Sequence, residues 1–289
     1  MDRRLFAKRR QIPGKAASPR IVSIHSGKGG VGKTVIACNL AERLASRGYR
    51  LLLVDADFNF GNVHIMTNTG HDYGVGTFAT GRLSLPEASM RIMDRLDILA
   101  SESNNDTRAL YSPARTRALM RDLRRQASDY NLILVDNSSG RFEAAMVMAS
   151  FSDLNILVMV PEVTSLSDGY GLFKHLVGTV PESCWGVLLN RCRSSVEADY
   201  VHEKFAALTE RFLKNSPRYL GYLPEDPAVR ESVSWQRLIA NGCENASVMQ
   251  PLTDIGHRLI EQMNLRVTRN RMTVEIGINE NQAVADIKE

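Results

Sequence analysis

None of the four cysteines, Cys38, Cys184, Cys192 and Cys243, pairs with another in a Cys-x-x-Cys spacing. That absence disfavours an iron–sulfur carrier and leaves free thiols, used as small core residues in a reducing cytoplasm, as the expected state. No apolar run approaches the roughly 20 residues that span a bilayer. Nothing at the amino end has the apolar centre of a secretory signal. The expectation is a cytoplasmic protein whose contact with a membrane, if any, is peripheral at its inner face. Internal repeats and low-complexity tracts are also missing. Charge is nearly balanced, with a formal excess of +4 and a pI near 8.9, which permits contact with nucleic acid or anionic lipid without requiring either.

What remains is a chain of 289 residues, 44% hydrophobic and 24% charged, long enough to bury one substantial core. Short apolar runs recur at Ile21 to Ile24, Leu51 to Val54, Leu96 to Leu99, Leu132 to Val135, Ile156 to Val160, Val187 to Leu189 and Tyr219 to Leu223. These read as buried strands. Stretches of helical period lie between several of them, at Val35 to Ala45, Pro113 to Ala127, Arg141 to Ala149, Leu166 to Val177 and Val196 to Leu213. Alternating strands and helices predict an α/β fold with a mostly parallel, twisted sheet covered by helices on both faces. Leu252, Ile255, Leu259, Ile260 and Met263 form one more helical face, expected to dock on the core.

Three regions follow. Residues 1–18 are rich in Arg and Lys and read as a basic flexible arm, residues 19–263 as one α/β domain, and residues 264–289 as a tail in which Val274, Ile276 and Ile278 alternate.

The segment Gly27-Lys28-Gly29-Gly30-Val31-Gly32-Lys33-Thr34 follows the first strand and opens a helix at Val35. Glycines let the backbone curl so that amide N–H groups face phosphates, assisted by the positive end of the helix dipole. Lys33 is suited to the β and γ phosphates, and the Thr34 hydroxyl to Mg2+. Acids emerge where the next strands end: Asp55 and Asp57 after the second, Asp136 after the fourth. Open parallel sheets bind ligands at such carboxyl ends.

Lys28, directly after the first glycine, is not needed by a plain phosphate loop, and here the sequence resembles the ParA/MinD ATPases with their deviant Walker A motif. The resemblance implies ATP or ADP and Mg2+ as ligands, with Gly27, Lys28, Gly29, Gly30, Val31, Gly32, Lys33, Thr34 and Val35 around the nucleotide. It implies that Lys28 crosses to the nucleotide of a second copy, so that an ATP-bound homodimer completes the site. Asp57 is implied to position the attacking water, which with Lys28 and Lys33 makes the catalytic set. Thr34, Asp55 and Asp136 are implied around the metal. Asn190, ending Gly186-Val187-Leu188-Leu189-Asn190, matches the residue that reads adenine, and Pro224, Glu225 and Asp226 match the segment lining the other side of the base.

Pro161-Glu162-Val163-Thr164-Ser165, with Asp168 and Tyr170, is similar to a segment of the flagellar-number branch, FlhG/FleN. Glu162 is then expected near the dimer seam, and Asp168 where relatives place an acid able to pair with the extra lysine. That branch implies a slow ATPase switch, stimulated by its own dimerisation or by a partner such as a flagellar GTPase or a transcriptional regulator. The alternatives are a ParA-type partitioner of DNA or cargo, and a nucleotide-bound scaffold with negligible turnover. Departures from the branch are Asn59, His64, Asn137 and the lack of an amino-terminal Asp-Gln-Ala element. His64 has no second His or Cys at a metal-ligand spacing. Arg117, Arg121, Arg124 and Arg125 are the candidate basic face for DNA, and the segment from Leu265 to Met272 is a poor candidate for a membrane-lying helix.

Overall fold

The computed structural model describes residues 18–70, 72–102, 107–178 and 184–265. The arm, apart from residue 18, and the tail beyond Leu265, including its alternating Val274, Ile276 and Ile278, lie outside them.

Eight strands form one sheet: β1 (Arg20–His25), β2 (Leu51–Ala56), β3 (Met90–Met93), β4 (Leu96–Leu99), β5 (Leu132–Asn137), β6 (Leu154–Met159), β7 (Cys184–Cys192) and β8 (Arg218–Pro224). Their order is β3-β4-β2-β5-β1-β6-β7-β8. Every pairing is parallel except β3 with β4. The expected mostly parallel sheet is therefore present, with an antiparallel edge of four residues that the sequence reading missed.

Helices cover both faces. On one side lie α1 (Lys33–Ala45) and α10 (Met249–Gln262), packed against each other. On the other run α5 (Pro113–Gln126), α6 (Phe142–Phe151), α7 (Val163–Val177) and α8 (Ser195–Leu213), each against the next. The strands are apolar on both faces because both are covered. Along β2, Leu51 and Leu53 point into the α1 core, while Leu52 and Val54 join the core beneath α5. The same alternation in β6 sends Ile156 and Val158 to the α1 side and Leu157 and Met159 to the α7 side.

Shorter helices fill the crossovers: α2 (Val63–Met66), α3 (Val75–Ala79), α4 (Leu85–Ala88) and α9 (Pro227–Ser234), with a 3-10 turn at Thr107–Tyr111. Local chemistry explains several boundaries. At α8 the Ser194 side chain accepts from the Glu197 amide at 3.2 Å, and Glu197 reaches back to the Arg193 amide at 2.7 Å. Lys214, in the left-handed region at φ 52, closes that helix. Asp226 caps α9 ahead of Pro227, whose missing N–H costs nothing at a first helical position. Cys38 and Cys192 are buried free thiols, and Cys243 is half-buried. Among the described residues, no helix is long and apolar enough to cross a membrane.

A phosphate cradle beside paired carboxylates

Strand β1 ends at His25, and the chain turns into the glycine-rich loop before α1 begins at Lys33. Gly30 and Gly32 sit at φ 77 and 94, a left-handed region that side chains resist. Gly32 also leaves no room for a Cβ, which would meet the Asn190 amide. A Cβ at Gly27 would strike the backbone carbonyl of Asp168, so this glycine lets the loop lie directly against α7. Val31 is buried, and its carbonyl accepts from Asn190 Nδ2 at 2.7 Å.

Lys33 is only 9% exposed, and its Nζ donates to Ser26 Oγ at 2.9 Å. Burial lowers its pKa, while the nearby Asp136 and Asp57 carboxylates raise it in partial compensation. Strands β2 and β5 are in register, so that Asp55 lies beside Asp136. Both are fully enclosed. Burial, reinforced by the Asp136 charge, pushes Asp55 up to about 8. Burial also pushes Asp136 up to about 6, against the opposing pull of Lys33 and of Thr34, whose hydroxyl donates to Asp136 Oδ2 at 2.5 Å. Asp136 Oδ1 is buried with no hydrogen-bond partner. Two adjacent buried carboxylates, one with an orphan oxygen, form a site that fits a hard divalent cation. Asp55 is also structural, accepting from the amides of Asp57 and Val63, both at 3.1 Å.

Asp57 stands at the mouth of this cluster, partly exposed. Its Oδ1 accepts from the Tyr111 hydroxyl at 3.1 Å and from the Phe60 amide at 3.3 Å. Asn137 does not face the loop. Its Nδ2 donates to the Ile24 carbonyl at 3.0 Å, locking the end of β5 to β1.

Lys28 lies apart from the buried set. Its Nζ donates to Glu162 Oε2 at 2.8 Å and to Thr164 Oγ1 at 3.1 Å, and the two charged side chains are 39% and 53% exposed. The bond and charge of Lys28 hold the Glu162 carboxyl below its ordinary range. Glu162, at the N-cap of α7, is thus the carboxylate that meets this lysine. Asp168 sits further along α7, with its backbone against Gly27, and the expected pairing of Lys28 with Asp168 is not the one formed.

On the other side of Gly32 opens a pocket of about 430 Å3, lined by Val35, Asn190, Pro224, Glu225 and Asp226, with an apolar wall that includes Ile36, Leu223 and Val229. Its size and mixed lining suit a planar base. Asp226 spends its carboxylate structurally, on the Ala228 amide and on the amide and hydroxyl of Ser247. Glu225 Oε1 is held by Arg230 at 2.5 Å and by Arg191 at 3.4 Å. Within the proposed DNA face, Arg124 donates to the Phe151 carbonyl and Arg125 pairs with Asp122 at 2.9 Å, so half of that face is engaged at home.

Sequence reading missed Ser26 and Tyr111, and gave Thr164 no role of its own. Ser26, next to the loop, was within reach of inspection. Tyr111 lies more than fifty residues from Asp57, and only the tertiary fold joins them.

The family model described as the CobQ/CobB/MinD/ParA nucleotide binding domain matches residues 22–239. The chain is 28% identical over 220 residues to the antiactivator FleN of Pseudomonas aeruginosa, covering 76% of this chain and 79% of that one. It is 22% identical over 245 residues to the flagellum site-determining protein YlxH of Helicobacter pylori, covering 84% and 83%. The solved structure of septum site-determining protein MinD from Pyrococcus horikoshii, complexed with Mg-ADP, superposes at a TM-score of 0.70 with 23% identity, covering 83% of this chain and 96% of that one, a likeness of fold. The chain belongs to the CobQ/CobB/MinD/ParA nucleotide-binding domain family.

Proposed function

We propose that this chain is a slow, Mg-ATP-dependent switch that dimerises face to face, hydrolyses ATP to ADP and phosphate, and controls the placement or number of a cell-surface machine, the flagellum. The glycine loop and Lys33 would hold the phosphates, the pocket between Asn190 and Pro224 the base, and Thr34 with Asp136 and Asp55 the Mg2+. When bound, the metal neutralises charge on the phosphates. Asp57 would accept a hydrogen bond from the attacking water.

The observation that carries the switch is the Lys28–Glu162 pair. A lysine that served its own nucleotide would be expected to turn inward beside Lys33; this one lies at the surface on a carboxylate it can leave at little cost. Such a group is available to a second copy. The flagellar assignment is supported by the names of FleN and YlxH and by their coverage of most of this chain. Cytoplasmic residence with peripheral contact at the membrane accompanies this reading, as does a partner that stimulates turnover.

Light scattering with ADP, and with ATP plus Mg2+, alongside phosphate release, tests it. The expected result is a dimer only with ATP, accumulated by Asp57→Ala and turned over slowly by the wild type. A monomer in every nucleotide state, binding ATP without turnover, would overturn it.

A further inference from the structure

The hydroxyl of Tyr111 occupies an unusual place, given that the 3-10 turn carrying it lies outside the sheet. It donates to Asp57 Oδ1, in the loop after β2, at 3.1 Å. The ring is held from two further directions. Phe58 packs at 5.0 Å between centroids, and the Arg141 guanidinium lies 4.7 Å from the ring centre. The turn itself is fastened: the Thr107 hydroxyl donates to the Phe58 carbonyl, and Thr116 Oγ1 bonds the Leu110 carbonyl at 2.6 Å. Burial keeps the Tyr111 phenol protonated, its pKa pushed up to about 12, so the O–H is a donor throughout the neutral range.

We propose that Tyr111 is a positioning residue for hydrolysis: its hydroxyl holds the Asp57 carboxylate, and its ring, between Phe58 and Arg141, joins the loop after β2 to the segment leading from β5 into α6. The inference rests on the ATPase reading above and adds to it a residue that touches neither phosphate nor metal. Both described donors to Asp57, Tyr111 and the Phe60 amide, use Oδ1. That restrains the carboxylate at Oδ1 and leaves Oδ2, with no described donor, to accept from water. In the reaction, the water oxygen bonds the γ phosphorus as the bond to the bridging oxygen of ADP breaks, and the water's proton passes to the released phosphate. A carboxylate free to rotate would orient that water less often, and misplacement by an ångström costs rate steeply. Arg141 adds a second restraint, since it stands at the N-cap of α6, at the end of the loop that follows β5, with its guanidinium over the ring.

The test is Tyr111→Phe, which keeps the ring against Phe58 and Arg141 and removes only the hydroxyl. The expected kcat falls about tenfold, the scale of one hydrogen bond, with the ATP dissociation constant and thermal midpoint unchanged. In an Asp57→Asn background the same change is expected to cost nothing further, because the effect passes through that carboxylate. Without any nucleotide, hydrogen exchange of the segment 57–62 is expected to quicken in Tyr111→Phe, since the Phe60 amide bonds the loosened carboxylate. Tyr200→Phe, on the exposed side of α8, serves as the control that changes none of these. Wild-type kcat and unchanged exchange in Tyr111→Phe would overturn the proposal, as would a loss that persists undiminished in the Asp57→Asn background. Absence of turnover in the wild type itself would remove the ATPase reading and this role together, a result the wild-type control separates from failure of Tyr111 alone.

Discussion

The two lysines of the glycine loop stand five residues apart and live in different worlds. Lys33 is almost enclosed, near the Asp136 and Asp57 carboxylates. Lys28 rests on Glu162 in water. At the buried end the low dielectric strengthens each charge interaction, and the fold has already met the cost of orienting the groups. The exposed pair contributes little to stability and is easily exchanged for another partner. One loop thus carries an enclosed lysine and an exposed one held only by a surface ion pair, the contrast on which the proposed switch rests.

The contrast breaks most visibly at Lys28. In Lys28→Ala, steady-state turnover is expected to fall on the order of a thousandfold, as when a charge-stabilising finger is removed. ATP binding by the monomer, read by calorimetry, should stay close to wild type. In Lys33→Ala the expected defect moves to binding: ATP affinity weakens on the order of 300-fold, from losing a buried charged partner of about 3 to 4 kcal/mol. If both variants showed the same mixture of binding and turnover loss, the division would be wrong.

The buried end should also respond to acid. His25, enclosed at the end of β1 and bonded to Asn155 at 3.0 Å, is held neutral by burial, its pKa lowered to about 4 from 6.5. The unfolded chain takes up this proton first as pH falls, so the histidine's contribution is complete above pH 6.5 and is lost as pH falls toward 4. The loss amounts to about 3 kcal/mol. Asp55 and Asp136, with raised values, act in the opposite direction, so the readout is the difference between wild-type and His25→Gln stability in urea across that range. A constant difference at all pH values would refute the assignment. Smallest of all, Glu162→Gln should leave the thermal midpoint of the nucleotide-free protein unmoved, while a drop comparable to that of a core variant would show the exposed pair to be structural.

Much of this was legible before any coordinates. Seven apolar runs became seven strands, because a parallel sheet buried on both sides requires continuous apolar sequence. Helix α7 begins at Val163 rather than Leu166, since the polar Thr164 and Ser165 mask the apolar period. Strand β3 escaped notice because Met90–Met93 is short, carries Arg91 and lies at an edge, where patterning is weak. The glycine-rich loop before α1 and the acids at the ends of β2 and β5 could be picked out because they are defined by local spacing. Tyr111 could not, because its partner comes from another crossover. The pairing of Lys28 with Glu162 rather than Asp168 depends on how α7 lies against Gly27, a tertiary detail no spacing reports.

The most direct test of the central claim, that Lys28 acts across a dimer, mixes two inactive variants. Lys28→Ala keeps its own Asp57 but has no lysine to lend; Asp57→Ala can lend Lys28 but cannot position water. Phosphate release is measured for each variant alone and for the mixture with ATP and Mg2+. If Lys28 serves the partner's nucleotide, mixed dimers contain one complete site and turnover rises well above either variant alone. If Lys28 serves only its own subunit, the mixture is as inactive as its components, and the account of a shared site is contradicted.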